Sequence, residues 1–279
     1  MSRSYLFIPG NTPSMIQNLD VFESDAVILD LEDSVVHYDK DAARTLVKNF
    51  INHVQPHIDI YIRINDIQSP YFEDDIASIQ DLNIRGIVLP KASIEAVKLL
   101  STKTTKDIIP IIESPLAVLD ARDIISHKHV TAVLLGAEDC TKEMNITRTA
   151  QGLEIDYMRH YIALVAHAYH KEAIDTPWIH KDDETGLLQD TTYAKSIGFT
   201  AKSAIHPNHV ATINKVFTPS EKEIFEAKRI VKKAEDTNKG AFLLDGKIYF
   251  KGTVDELKKQ TNNDNLEHAI ANLIAKQYA

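Results

Sequence analysis

AVILDLED at residues 26–33, IDIYIRIN at 58–65, GIVLPK at 86–91 and IIPIIES at 108–114 decide the fold. Each is a short run of Val, Ile and Leu that is apolar on both pleat faces and ends in charged or polar residues. Strands apolar on both faces are covered on both sides, which is the environment of a parallel sheet wrapped by helices. Working outward, the same pattern recurs at Tyr5–Pro9, Val130–Leu135, Ala173–Trp178 and Thr200–Ile205. With Ala26–Leu31, Ile58–Ile64, Gly86–Pro90 and Ile108–Ile112, these make eight predicted strands. Helical patterns fill the gaps near 12–22, 39–54, 71–83, 93–103, 115–126, 152–172, 184–197 and 207–216. The plainest is the helix from Gln151, with Met158, Tyr161, Ile162, Val165, Ala168 and Tyr169 at helical spacing and Arg159, His160 and His167 on the other side.

Eight βα units in residues 1–218 predict an α/β fold of the closed (β/α)8 TIM-barrel type. A doubly wound open sheet is the alternative, but no G-x-G-x-x-G or Walker-type loop follows a strand, so its usual nucleotide functions are not indicated. After Pro219 the pattern changes. Ser220–Asp236 reads as a charged helix, Ala241–Phe250 as a hairpin around Asp245-Gly246, and Asn265–Gln277 as a last helix. Residues 219–279 thus form a C-terminal helical and hairpin extension, expected to pack on the barrel or on a neighbouring subunit.

The 279 residues are 44% hydrophobic and 25% charged, with a formal net charge of −9, which argues against nucleic acid as a partner. No apolar run approaches the ~20 residues of a membrane helix, and the N-terminal stretch does not read as a signal peptide. Cys140 is the single cysteine, so no intrachain disulfide exists, and a cytoplasmic protein is expected.

In a barrel the chemistry sits at the C-terminal strand ends. There the sequence places Asp30, Glu32 and Asp33; Arg63 and Asn65; Lys91; Glu113; Glu138 and Asp139; and His206. A hard divalent cation such as Mg2+ takes oxygen ligands and often only one or two carboxylates, a role that Glu113 and Asp139 suit. Arg63 offers a planar fork for a carboxylate, or an ion pair with Asp30–Asp33, and the two roles are compatible. Cys140 has no local histidine and reads as an inert buried thiol, while His206 and His209 lack a third partner for zinc.

Taken together, RSYLFIPGNTP at Arg3, AVILDLEDSV at Ala26, IRIN at Ile62, VLPK at Val88, IIES at Ile111, LGAEDCTKEM at Leu135 and GFTAKSAIHPNHVATINKVFTPSEKEI at Gly198 resemble the citrate lyase β-subunit branch of the HpcH/HpaI aldolase superfamily. The resemblance spans about residues 3–230. It implies a TIM barrel in which Glu113 and Asp139 hold Mg2+ and Arg63 binds an oxo-acid carboxylate. Asp33, Lys91 and Glu113 border the substrate, and Asp30 or Glu32 takes the hydroxyl proton. The implied reaction splits a citryl thioester, on an acyl carrier protein or coenzyme A, into oxaloacetate and an acetyl thioester. Implied partners are the other citrate lyase subunits and copies of the chain in a homotrimer or a multiple of one. Asn11–Asn18 lacks the cations that coenzyme A-dependent relatives often carry there, which favours a carrier protein. Phe250 stands where many relatives have an acid. Malyl- or citramalyl-coenzyme A cleavage, a free 2-oxo-acid aldolase and a non-catalytic barrel subunit are the alternatives.

Overall fold

The computed structural model describes residues 2–54, 56–237, 241–250 and 256. Strands β1 (Ser4–Pro9), β2 (Ala26–Asp30), β3 (Asp59–Arg63), β4 (Gly86–Leu89), β5 (Asp107–Ile112), β6 (Ala132–Leu135), β7 (Glu172–Asp175) and β8 (Ala201–Ala204) close into a barrel in chain order. Every pair is parallel, and β8 returns to β1 through Ser4↔Lys202, Tyr5↔Ser203 and Leu6↔Ala204. The (β/α)8 barrel predicted from the strand pattern is therefore the fold.

The helices are α1 (Pro13–Ile16), α2 (Lys40–Val54), α3 (Phe72–Ile79), α4 (Ile94–Lys103), α5 (Pro115–Leu119), α6 (Ala121–Ile125), α7 (Ala137–Glu143), α8 (Asp156–Ala168), α9 (Glu184–Ser196), α10 (Val210–Phe217) and α11 (Glu221–Thr237). Those around the barrel bury one stripe each. On α2 this is Ala43, Val47, Phe50 and Ile51, the i, i+4, i+7, i+8 spacing of one helical face. Ser93, Ser114 and Asp183 each accept an amide N–H at the start of α4, α5 and α9, supplying partners that the first turn lacks.

Strand alternation divides the apolar residues into two clusters. Leu6, Val27, Leu29, Ile62, Leu89 and Val133 face the helices, whereas Tyr5, Ile28, Tyr61, Val88, Ile111, Leu134 and Ile174 fill the barrel interior. Asp30, Arg63 and Glu113 have the inward parity of Ile28, Tyr61 and Ile111, so they continue the interior stack into the mouth.

Three sequence expectations need correction. The helix near 115–126 is two helices, broken at Asp120, and the one near 152–172 is a 3-10 turn at Leu153–Ile155 followed by α8, which ends at Ala168. Arg159 does not belong to the solvent side of α8. It is 1% exposed and turned inward, because Asp175 and Asp190 supply buried carboxylates for its guanidinium.

The chain divides into two compact units at Thr218/Pro219. In the second, α11 precedes an antiparallel hairpin of β9 (Ala241–Leu244) and β10 (Lys247–Phe250). Asp245 and Gly246 turn it with φ of 49° and 75°, left-handed values that these residue types accept in tight hairpins. The helix expected at Asn265–Gln277 lies outside the described residues. No helix among the described residues is long and apolar enough to cross a membrane.

Candidate active site

A cavity of about 430 Å3 opens at the C-terminal mouth of the barrel, lined in part by Phe7, Asp30, Asp33, Arg63, Glu113, Glu138, Asp139 and Thr176. Of the sequence-predicted residues, Asp30, Asp33, Arg63, Glu113 and Asp139 meet here. Glu32 and Lys91 border an adjoining cavity that shares Asp33.

Asp30 and Arg63 face each other because β2 and β3 are in parallel register at these two residues. Arg63 Nε and Nη2 donate to the two Asp30 oxygens at 2.7 and 2.6 Å, a bidentate pair. Asp30 also accepts the backbone N–H groups of Glu32 and Ser34. Burial opposes its ionisation, but the Arg63 charge and these hydrogen bonds outweigh burial and hold the carboxyl below the usual range. Arg63 Nη1 lies 3.0 Å from Glu32 and 3.5 Å from Asp33, and its guanidinium stands over the Phe7 ring. Arg63 therefore forms the internal ion pair anticipated from sequence, with Nη1 turned toward Glu32 and Asp33.

Glu32 is different. Both its oxygens are buried and, although Arg63 and the Lys91 ammonium (3.3 Å) are close, neither takes up hydrogen-bond geometry. Burial pushes its carboxyl upward. Asp30 is thus committed at both oxygens, whereas neither oxygen of Glu32 has a hydrogen-bond partner among the described residues.

The opposite wall comes from β5 and β6. Glu113 Oε1 accepts the Lys91 N–H at 2.6 Å, and Lys91 reaches that position with φ of 45°, a left-handed value that costs a lysine about 1 kcal/mol. Gly136, just past β6, makes room for the carboxylate. A Cβ there would fall 2.5 Å from Glu113 Cβ and 3.0 Å from Oε2. Asp139 stands in the first turn of α7, not at the end of a strand as the sequence reading placed it. The strand stops at Leu135, Gly136 turns the chain, and Glu138 and Asp139 suit the positive end of the new helix.

Five carboxylates line this cavity against the single guanidinium of Arg63. Asp30 is satisfied by Arg63, and Glu138 by Arg148 at 2.7 Å. Glu113 and Asp139 have no cation partner among the described residues. Burial, with Glu32 and Asp139 adding repulsion, raises the Glu113 carboxyl to about 7 against the pull of the Lys91 N–H and Arg63. No group of three or more His, Cys, Asp or Glu side chains clusters as a ready-made metal cage among the described residues. Two under-paired carboxylates in an open cavity nevertheless fit a hard divalent cation that keeps sites for water and substrate.

Lys40, Asp75 and Arg44, which the sequence reading passed over, support this site from behind through Asn65. Lys40 Nζ donates to the carbonyls of Leu31 and Glu32 and to Asn65 Oδ1 at 2.6–2.7 Å, fixing the β2 exit. Asn65 in turn donates to Asp75, which also pairs with Arg44. Cys140 is buried, and burial pushes its thiol up to about 11, in keeping with an inert role. His206 and His209 hold loop backbone, accepting Asn208 N–H and contacting Lys181 O.

Residues 3–207 match the family model HpcH/HpaI aldolase/citrate lyase. The chain belongs to the HpcH/HpaI aldolase/citrate lyase family. It is 30% identical to the citrate lyase subunit beta of Leuconostoc mesenteroides subsp. cremoris, over 99% of this chain and 98% of that protein. It is 26% identical to the human mitochondrial citramalyl-CoA lyase, over 88% of this chain and 80% of that one. Among solved structures, the citrate lyase beta subunit of Mycobacterium tuberculosis, complexed with oxaloacetate and magnesium, superposes with a TM-score of 0.70 at 26% identity, covering 77% of this chain and 96% of that one. Family membership and these lyase relatives give the class of activity, a carbon–carbon lyase.

Proposed function

We propose that the chain is a Mg2+-dependent lyase that cleaves a citryl thioester into oxaloacetate and an acetyl thioester. The observation that carries this reading is the pairing pattern of the cavity. Glu113 and Asp139 lack a cation partner among the described residues, opposite an Arg63 that Asp30 holds rigid. An anionic oxo-acid would be repelled by such a cavity unless a divalent cation joined it.

In this reading Glu113 and Asp139 hold Mg2+, which when bound acts as a Lewis acid toward the oxygen that becomes the oxo group. Arg63 presents Nη1 to the substrate carboxylate, and Asp33 and Lys91 flank it. Glu32 takes the hydroxyl proton. As the C–O bond becomes C=O, the carbon–carbon pair leaves with the acetyl fragment as a thioester enolate, which is then protonated at carbon. The preorganised charge of the Arg63–Asp30 pair serves the electrostatic part of that step.

The relatives named above favour one second reading, cleavage of citramalyl-CoA or a similar coenzyme A ester. The lack of cations at Asn11–Asn18 favours a carrier-protein thioester. A cytoplasmic setting, assembly as a homotrimer or a multiple of one, and association with other citrate lyase subunits belong to the same proposal.

The test is calorimetric titration of oxaloacetate with and without Mg2+, on wild type and Glu113→Ala, followed by product analysis on citryl and citramalyl thioesters. Binding that needs Mg2+ and is lost in Glu113→Ala supports the reading. Absence of binding in every condition overturns it, and pyruvate rather than oxaloacetate as the oxo-acid product selects the second reading.

A further inference from the structure

Thr176, the residue after β7, is fully buried yet lines the cavity. Its hydroxyl oxygen accepts the N–H of Ala137, the first residue of α7, at 3.3 Å. The first amides of a helix have no acceptor within it, and Thr176 is the acceptor for this one among the described residues. α7 is seven residues long and carries Asp139 in its first turn, exposed and without a side-chain partner among the described residues.

Thr176 is itself held from outside the barrel. Lys202 Nζ, wholly buried, donates to the Thr176 carbonyl at 2.7 Å, to Asp175 at 2.5 Å and to Asp190 at 2.6 Å. Arg159 closes the group with bonds of 2.9 and 3.0 Å to Asp175 and 2.8 Å to Asp190. Two cations and two carboxylates are thus balanced where apolar packing would serve stability as well or better. What apolar packing cannot do is fix a carbonyl at the end of β7. The cleavage steps above use none of these four side chains, and none lines the cavity.

We propose that Thr176, anchored through Lys202, is a positioning residue that sets the start of α7 and so places Asp139 for a divalent cation. The inference rests on the reading of Glu113 and Asp139 as the metal pair. Without the hydroxyl, the Ala137 amide would be buried without an acceptor and the helix start would shift. Metal ligands need placement within about 0.5 Å.

The experiment is Mn2+ titration followed by electron paramagnetic resonance on wild type, Thr176→Val and Thr176→Ser, with thermal unfolding of each metal-free protein. Thr176→Val is expected to weaken Mn2+ binding about tenfold or more, the usual size of an outer-shell loss. Its unfolding temperature should fall by only about 2–4 °C, the mark of one lost acceptor and not of a collapsed fold. Thr176→Ser keeps the acceptor and is expected to restore affinity to within about twofold. Mn2+ affinity unchanged in Thr176→Val, or equally weak in Thr176→Ser, overturns the positioning role. A wild-type protein that takes up no Mn2+ overturns the metal reading itself.

Discussion

On the β2–β3 side of the cavity, both oxygens of Asp30 are taken, each by Arg63 and by a backbone amide. On the β5–β6 side, Glu113 accepts one backbone N–H and Asp139 has no side-chain partner among the described residues. The first wall is also backed by the Lys40–Asn65–Asp75–Arg44 network. It is complete as soon as the chain folds. The second is electrostatically unfinished, and its deficit is one of positive charge. Folding can leave a carboxylate under-paired at a cost in stability, and that cost marks where a ligand cation gains most. Substitutions should therefore behave in opposite ways on the two walls, stability failing on one and metal-dependent chemistry on the other.

The largest effect is expected at the paired wall. Asp30→Asn takes the bidentate counter-charge from the buried Arg63 guanidinium and leaves it only Glu32 at 3.0 Å and Asp33 at 3.5 Å. Breaking a buried pair from one side costs about 3–5 kcal/mol. Urea unfolding should show a loss of this size, with Mg2+ affinity in the remaining folded protein much less changed. A stability loss below about 1 kcal/mol would place the pair among the weak surface type and erase the contrast.

At the unfinished wall the sign reverses. The Glu113 carboxyl, raised from 4.5 to about 7, binds its proton more tightly in the folded state than in the unfolded one. Its contribution to stability is full below pH 4.5 and is lost as the pH rises through about 7, so the metal-free protein should weaken over that window. The linkage corresponds to about 3 kcal/mol for a shift of this size. Glu113→Gln should flatten the slope and be at least as stable as wild type at pH 8, while abolishing metal-dependent turnover. Saturating Mg2+ should flatten the wild-type slope as well. Stability-versus-pH curves for the three samples decide it, and a Glu113→Gln protein less stable than wild type at pH 8 would contradict the assignment.

These contrasts also show what was legible in the chain. The barrel could be read because eight apolar runs alternate with helical patterns, and because strand parity brings Asp30, Arg63 and Glu113 to one mouth. Their residue types indicated a carboxylate and a cation site without coordinates. The supporting layer was hidden because a buried charge looks like a surface charge in sequence. Arg159 sits among the polar positions of α8 by spacing, and its inward turn depends on Asp175 and Asp190, 16 and 31 positions away. Lys202 did leave a signal. A lysine in the middle of a parallel barrel strand has packed helices outside it and cannot reach solvent, so a buried counter-charge could have been sought. Thr176 left none, since a threonine past a strand end is unremarkable until its neighbour across the sheet is known.

A smaller effect separates geometry from charge on the unfinished wall. Gly136→Ala changes no charge but puts a methyl 2.5 Å from Glu113 Cβ and 2.8 Å from Ile111 Cγ2. Overpacking of this kind costs about 1–3 kcal/mol. If placement of the Glu113 carboxylate matters as much as its charge, Mg2+ affinity falls alongside stability. Retained affinity would show that the wall adapts.

The smallest expected effect lies where the two walls meet. Lys91 touches both, through its ammonium to Glu32 and through its backbone N–H to Glu113. Lys91→Met removes only the first contact, because the backbone bond remains. The Lys91 side chain is 59% exposed, and a pair so open to solvent contributes less than about 1 kcal/mol. Unfolding stability should thus barely change. The catalytic consequence should be larger than the structural one, since Glu32 loses its mobile cation and keeps only Arg63. A pH–rate profile with the limb assigned to Glu32 displaced toward higher pH is the expected result. An unchanged profile would remove Lys91 from the proton-transfer apparatus and leave it the single task of aiming its backbone N–H at Glu113.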